Sequence, residues 1–198
     1  MNIFYLDKNP KTCAEYHVDK HVVKMILEYS QLLSTAHRVL DGTESIGISK
    51  TGSGRKQKRW ILSDDRDSIL YSATHVNHPS AIWVRQSNCN YDYLYRLLTC
   101  LCEEYTYRYE KIHKCESSGL VKELFRTPYN IPYNDTGLHP FTEPTPAMPD
   151  HCKVPGNSLQ SYRNYYFMEK ERMWSWSGKI NSRTIPDWLQ QMIWEKVA

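Results

Sequence analysis

The stretch from Thr12 to Leu40 most narrows what this chain can fold into. Apolar side chains fall at Ala14, Val18, Val22, Met25, Ile26, Tyr29, Leu32, Leu33, Ala36 and Leu40. That is helical spacing, held over about seven turns. Thr12-Cys13-Ala14-Glu15 has the capping-box pattern, with Thr12 as N-cap and Glu15 reaching back to it. Asp41-Gly42 supplies the stop. One long amphipathic helix is expected, and its stripe has to be covered by other elements.

A second strong helix is expected from Asn90 to His113, with Leu94, Leu97, Leu98, Leu101, Cys102, Tyr105 and Tyr109 on its buried side. Weaker signals predict helices from Trp60 to Thr74, from Asn157 or Ser158 to Trp176, and after Pro186-Asp187. Ser80 is placed to cap a short segment carrying Trp83, Val84 and Arg85. Residues 1–8 alternate apolar and polar and read as a short extended arm. Residues 41–59 read as a flexible basic loop, because Gly42, Gly47, Gly52 and Gly54 alternate with Ser and Thr before a cationic run. Residues 127–156 are Pro-rich and without period, a long irregular segment that suggests a working role. The predicted fold is all-α: one mostly helical domain over residues 1–198, with the arm and the irregular segment inside it.

No apolar run is long enough for a transmembrane helix, and the opening lacks a basic stretch followed by an apolar core. A soluble, cytoplasmic protein with no membrane partner is expected. The six Cys form no Cys-x-x-Cys pair, so they are expected to be reduced and packed. A net charge of +3 decides nothing about partners, but 15 Tyr and 6 Trp are well above ordinary use. Rings of this kind suit stacking surfaces, and equally a Tyr-rich core.

Three groups of residues can carry chemistry. One edge of the first helix's stripe bears His17, His21, Lys24, Glu28 and Thr35, within about 60° of one another. A polar ridge beside the core is where partly desolvated acids and bases arise, and it is also an ordinary boundary face. His17 and His21 have the i,i+4 spacing of a shared metal, with a third ligand open among Glu28, His75, His78, His151 and Cys152. The run lacks the Glu that a zincin motif needs after its first His, because Val18 stands there, so the metal reading is weak and no cofactor is expected. The second group is Lys50, Arg55, Lys56, Lys58 and Arg59, able to follow phosphates or simply to be solvated. The third interleaves rings and cations: Tyr162, Arg163, Tyr165, Tyr166, Lys170, Arg172, Trp174 and Trp176. No phosphate-binding glycine loop, Gly-x-Ser-x-Gly elbow or dinucleotide fingerprint is present.

In order and pattern, most of the chain resembles the phage pyrimidine-dimer DNA glycosylase/AP lyase family and its bacterial relatives. The likeness rests on the short arm, the long first helix with His17 near its start, the basic stretch, the Asn77-His78-Pro79 step, and the closing Tyr, Trp and Lys cluster from Tyr162 to Trp176. The opening is also similar to that of a set of phage-borne proteins, which implies the host cytoplasm as the place of work. The resemblance implies a small helical enzyme on double-stranded DNA, monomeric, that flips a base and breaks its glycosidic bond. It implies catalytic roles for Glu28, Lys24, His17, His21 and the amine of Met1, and DNA contacts from Arg55, Lys56, Lys58, Arg59, His78, Arg85, Tyr162, Arg163, Tyr166, Lys170, Trp174 and Trp176. Two departures stand out. The family exposes its nucleophilic amine by removing Met before a small residue, whereas Asn2 follows Met1 here. The family's Glu lies seven residues after its His, a spacing that lands on Lys24, with Glu28 one turn later. A base-modifying transferase or nucleotide-modifying enzyme of phage DNA, and a non-catalytic protein that binds nucleic acid or inhibits a host factor, remain as rival readings.

Overall fold

The computed structural model describes residues 1–48, 54–134 and 136–197. Helix α1 spans Pro10–Tyr16 and α2 spans Asp19–Asp41. The single long helix expected from Thr12 to Leu40 is therefore two. Its cap is Asn9, whose side chain accepts from Lys11 N at 2.9 Å and Thr12 N at 3.2 Å, and Pro10 fixes the first helical φ. His17 and Val18 are extended, with ψ of 134° and 153°. The carbonyls freed at the break are captured from far along the chain. Arg108 donates to Glu15 O at 2.9 Å and to His17 O at 3.0 Å, and Trp176 Nε1 donates to Tyr16 O at 3.0 Å. Helical periodicity runs through the break, so the apolar pattern gives no sign of it.

Helix α2 ends against a close approach. A Cβ on Gly42 would meet Arg38 O at 2.5 Å, so only glycine fits there. Strands β1 (Thr43–Ile48) and β2 (Lys56–Ile61) follow, paired antiparallel from Thr43↔Ile61 to Ile48↔Lys56. This hairpin overturns the all-α expectation, and its described part replaces the flexible basic loop expected over 41–59. Lys50 lies outside the described residues. The alternation of Ile46 and Ile48, with Trp60 and Ile61 on the partner strand, is a strand signal that the glycines masked. The helix expected over 60–74 shrinks to α3 (Arg66–Ile69). Arg38 explains why: it donates to the carbonyls of Trp60, Asp67, Leu70 and Tyr71 at 2.6–2.9 Å, wrapping that backbone around one guanidinium.

Helix α4 (Pro79–Val84) is capped by the His78 ring, which accepts from Ser80 N at 3.2 Å, so the expected Ser80 cap sits two residues late. Helix α5 (Asn88–Tyr109) begins at Ser87 and closes on Glu110 in the left-handed region, φ 49°. Short α6 (Lys114–Ser117) and α7 (Leu120–Glu123) precede the Pro-rich segment, whose described residues carry a 3-10 turn at Asp150–Cys152 and a bridge from Val154 to Asn157. That segment is laid against the helices by side chains. Asn90 Oδ1 accepts from Thr142 N at 3.0 Å, Trp83 Nε1 donates to Thr142 O at 3.0 Å, and Tyr162 OH donates to Thr145 O at 3.0 Å. Helix α8 (Ser158–Glu169) stops seven residues before the expected Trp176, and α9 (Asp187–Val197) follows Pro186.

Helices α2 and α5 face each other across the core, with α1 on α5 and α4 on α2. The arm does not alternate. Ile3, Phe4, Tyr5 and Leu6 are all buried, because the arm threads into the core instead of lying on it. Phe4 N donates to Tyr29 OH at 3.1 Å and Leu6 N to Cys13 Sγ at 3.3 Å, satisfying backbone that no strand partner covers. All six cysteines are free.

Arg108 is fully buried, bound to Glu104 Oε1 at 2.7 Å and Asp19 Oδ1 at 2.8 Å as well as to the break. Arg108→Met removes the buried cation from Glu104 and Asp19, leaving them Arg183 and Ser175, and takes the donor from the Glu15 and His17 carbonyls, and should lower the free energy of unfolding by about 3–5 kcal/mol. Urea denaturation measures it; a loss near zero would refute the role of this residue as the joint.

Candidate active site

Three chain segments meet at the start of the arm. The Met1 α-amine lies 3.8 Å from Glu28 Oε2, and Lys24 Nζ lies 2.9 Å from Glu28 Oε1. Glu28 is mostly buried, with a side chain 13% exposed, whereas that of Lys24 is 66% exposed. Lys24 and Glu28 are neighbours because they are one helical turn apart on α2. Met1 joins them because burial of residues 3–6 fixes where the arm begins. Ser80 Oγ donates to Met1 O at 3.2 Å, which ties the arm to the first turn of α4.

His78 completes the group. Burial lowers its pKa first; the Met1 amine and then His75 push the same way, and Glu28 opposes. Its Nδ1 is committed to the Ser80 N–H, so the proton of the neutral ring sits on Nε2. The adjoining backbone is strained: His75 has φ 49°, uncommon for a residue with a side chain. Arg85 holds this segment by donating to Val76 O at 2.7 Å and Ala81 O at 2.9 Å. Arg85, expected as a nucleic-acid contact, is partly buried and spends Nη1 on this buttress.

His17 and His21 do not join the group. They straddle the helix break and point into the core. His17 Nδ1 bonds Cys13 O at 2.7 Å and its Nε2 lies 3.3 Å from Tyr29 OH. His21 Nδ1 bonds Tyr166 OH, and its ring stacks on Phe4 at 4.2 Å. Each imidazole is thus spoken for by a phenol, and the i,i+4 metal pairing finds no support in this geometry. Tyr162, Tyr166 and Trp176 are buried too, so the stacking faces expected of them are absent. Trp174 is half-buried, its Nε1 on Tyr166 O at 3.0 Å and its ring stacked on Phe167. Arg163 donates to Leu6 O and lies over Trp188; Lys170 lies over Tyr165 at 4.4 Å. Arg172 is exposed. Interleaved rings and cations are as compatible with a packed helix as with an interface, and here most of the rings pack.

The described part of the hairpin carries Lys56, Lys58 and Arg59, with Arg55 just before it. One face carries Glu44, Ile46 and Ile48 opposite Trp60, Lys58 and Lys56. Ile46 and Ile48 are 72% and 69% exposed, so apolar tips stand among cations. Lys58 pairs with Glu44 at 2.7 Å; Arg59 donates to Ile48 O at 2.8 Å from the other face; Arg55 is exposed. A two-stranded ribbon of this kind fits a duplex groove. Sequence reasoning found its cations but missed its shape. It also missed Ser80 as an anchor for the arm.

Burial holds three imidazoles uncharged: His17 at about 4, His21 at about 2 and His37 at about 4. In the unfolded chain each regains a value of about 6.5. The unfolded state then binds more protons below that pH, so stability is complete above it and falls as the pH drops. Each ring should cost about 1.4 kcal/mol per pH unit between pH ~6 and ~4.5. A urea midpoint unchanged from pH 7 to pH 5 would show that these rings are not held neutral.

No family model matches the chain, and neither the curated proteins nor the solved structures give a match.

Proposed function

We propose that this chain is a DNA glycosylase-type enzyme that excises a damaged or modified base, with an AP lyase step through the Met1 amine. The supporting observation is the meeting of a primary amine, the mostly buried Glu28 carboxylate and the Lys24 ammonium at one place, beside a neutral His78. An amine paired with a carboxylate is the equipment that the resemblance to the pyrimidine-dimer family implies. Here it is assembled from Met1 and Glu28, one helical turn later than the family's spacing.

The reaction follows from these groups. The target nucleotide leaves the stack, because its C1′ is shielded in the duplex. The Met1 nitrogen attacks C1′ while the C1′–base bond breaks, and the base departs with the bonding pair and takes up a proton. Glu28 accepts the proton that the attacking amine sheds and stabilises the cationic sugar. The sugar ring opens as the imine forms. Water takes the C2′ proton as the C3′–O bond breaks and the 3′ phosphate leaves with the bonding pair, and a further water hydrolyses the imine to return the free amine. Lys24, mobile and exposed, holds the flanking phosphate.

The hairpin gives the duplex a second point of support. It starts where α2 ends, about 20 Å along that helix from Glu28 at ~1.5 Å per residue, or some six base pairs.

Labelled duplexes carrying a pyrimidine dimer, an abasic site, uracil or a hypermodified pyrimidine test the reading, with hot alkali and with borohydride. Strand scission on at least one substrate and a borohydride-trapped adduct on the Met1 peptide are expected. Glu28→Gln should slow scission by about 10²–10⁴-fold while leaving the fold intact. Lys24→Met should keep the trapped adduct and weaken binding. Intact strands on every substrate would overturn the proposal, and added mass on intact DNA would favour a modifying enzyme. Replacing Lys56, Lys58 and Arg59 by Ala should flatten the dependence of log K on log salt by about 0.9 per lost phosphate contact. An unchanged slope would remove the hairpin from the interface.

A further inference from the structure

A different cluster lies at the junction of the Pro-rich segment and the end of α8, apart from the base-excision reading. The ligating atoms of His151, Cys152 and Glu169 all lie within 4.8 Å of one another, and His151 Nε2 is 2.7 Å from Glu169 Oε1. Among the described residues this is the one group of three or more His, Cys and acidic side chains whose donor atoms converge in this way. Nitrogen, sulfur and oxygen together form the borderline-soft set that zinc takes.

The frame is rigid where it needs to be. Cys152 is fully buried, its N–H bonded to Pro149 O at 3.0 Å and its carbonyl to Asn164 Nδ2 at 3.3 Å. The neighbouring turn is pinned by Ser161 Oγ, which accepts from Val154 N at 2.8 Å. The other two donors can adjust, since the His151 and Glu169 side chains are 52% and 40% exposed. A tetrahedral zinc with bonds of about 2.0–2.3 Å sets its donors roughly 3.3–3.7 Å apart. Side-chain rotations that move donor atoms by about 1 Å close the set around one ion.

We propose that His151, Cys152 and Glu169 bind one zinc ion, with a fourth position open to solvent. The ion replaces the proton between His151 Nε2 and Glu169 Oε1, the neutral ring keeping its proton on Nδ1, and the Cys152 thiol releases its proton to solvent. Lys170 and Lys153 flank the site. Lys170 is drawn off over the Tyr165 ring at 4.4 Å, and Lys153 is paired with Asp150 at 2.8 Å, so neither ammonium fills the space between the donors. The bound ion clips the irregular segment to the helix that also carries Tyr166, the partner of His21.

Cobalt(II) is the probe, titrated into tag-free full-length protein after removal of metal by chelator. One equivalent should bind with a thiolate-to-cobalt charge-transfer band, and zinc should displace it. Cys152→Ser should lose the band. His151→Asn and Glu169→Gln alter exposed side chains and should fold as the parent does by circular dichroism. Loss of a supporting partner weakens metal sites by about 10–100-fold, and loss of either ligand should weaken cobalt binding by at least that. The site is overturned if no saturable band forms, if the band survives Cys152→Ser, or if both exposed variants bind cobalt like the parent. The scission assay on metal-free protein keeps this outcome separate from that of the base-excision reading.

Discussion

A guanidinium removed from water has to find a partner for each of its three nitrogens within the protein. Arg108 meets that condition with Glu104, Asp19 and the carbonyls of Glu15 and His17, and two of these partners exist only because the first helix is broken. Its own carbonyl accepts from Lys179 and Ile180, so the same residue fixes the irregular return of the chain before α9. Asp19 carries the arrangement further, accepting from the Ser175 hydroxyl and the Gly178 N–H. Arg38 repeats the principle at the other end of α2. Arg66 follows it too, bound to Asp41 at 2.6 Å and Asp64 at 2.8 Å. The helices are set by apolar stripes, and the turns between them by buried arginines.

This division of labour decides what could be read in advance. The apolar stripes of α2 and α5 stand in the sequence at 3.6-residue spacing, and both elements lie close to where that spacing puts them. The break at His17-Val18 depends on Arg108, some ninety positions away, and no local pattern encodes it. The hairpin was hidden by its glycines. The arm's apolar residues Ile3, Phe4, Tyr5 and Leu6 stand in one unbroken run between Asn2 and Asp7, the pattern of a segment buried on all sides and not of one that alternates. Of the residues expected to catalyse, Lys24 and Glu28 were legible as neighbours from helical spacing alone. The place of Met1 beside them follows only from the threading of the arm. His17 and His21 shared their ridge but sit deeper, where phenols meet them.

The candidate site accordingly combines rigid and compliant parts. Glu28 lies on α2 and the Met1 amine at the start of the buried arm, both on rigid elements and not on a loop. Lys24 stands in solvent on the same turn. The strained His75 and the His78 cap shape the neighbouring wall, with Arg85 behind them. Burial lowers the pKa of His78, and the exposed Lys24 brings its charge from the surface.

The contact between His21 and Tyr166 joins positions 145 residues apart, and that between Arg163 and Leu6 joins positions 157 apart. During synthesis from the N-terminus, the arm and first helices therefore emerge long before the groups that complete their hydrogen bonding. Those early segments are left with apolar stripes and unmet polar atoms until α8 arrives. High contact order of this kind slows folding and lengthens the exposure of sticky surface. The chain closes like a drawstring purse: the last third draws the first shut, and a fragment ending before α8 has nothing to close it with.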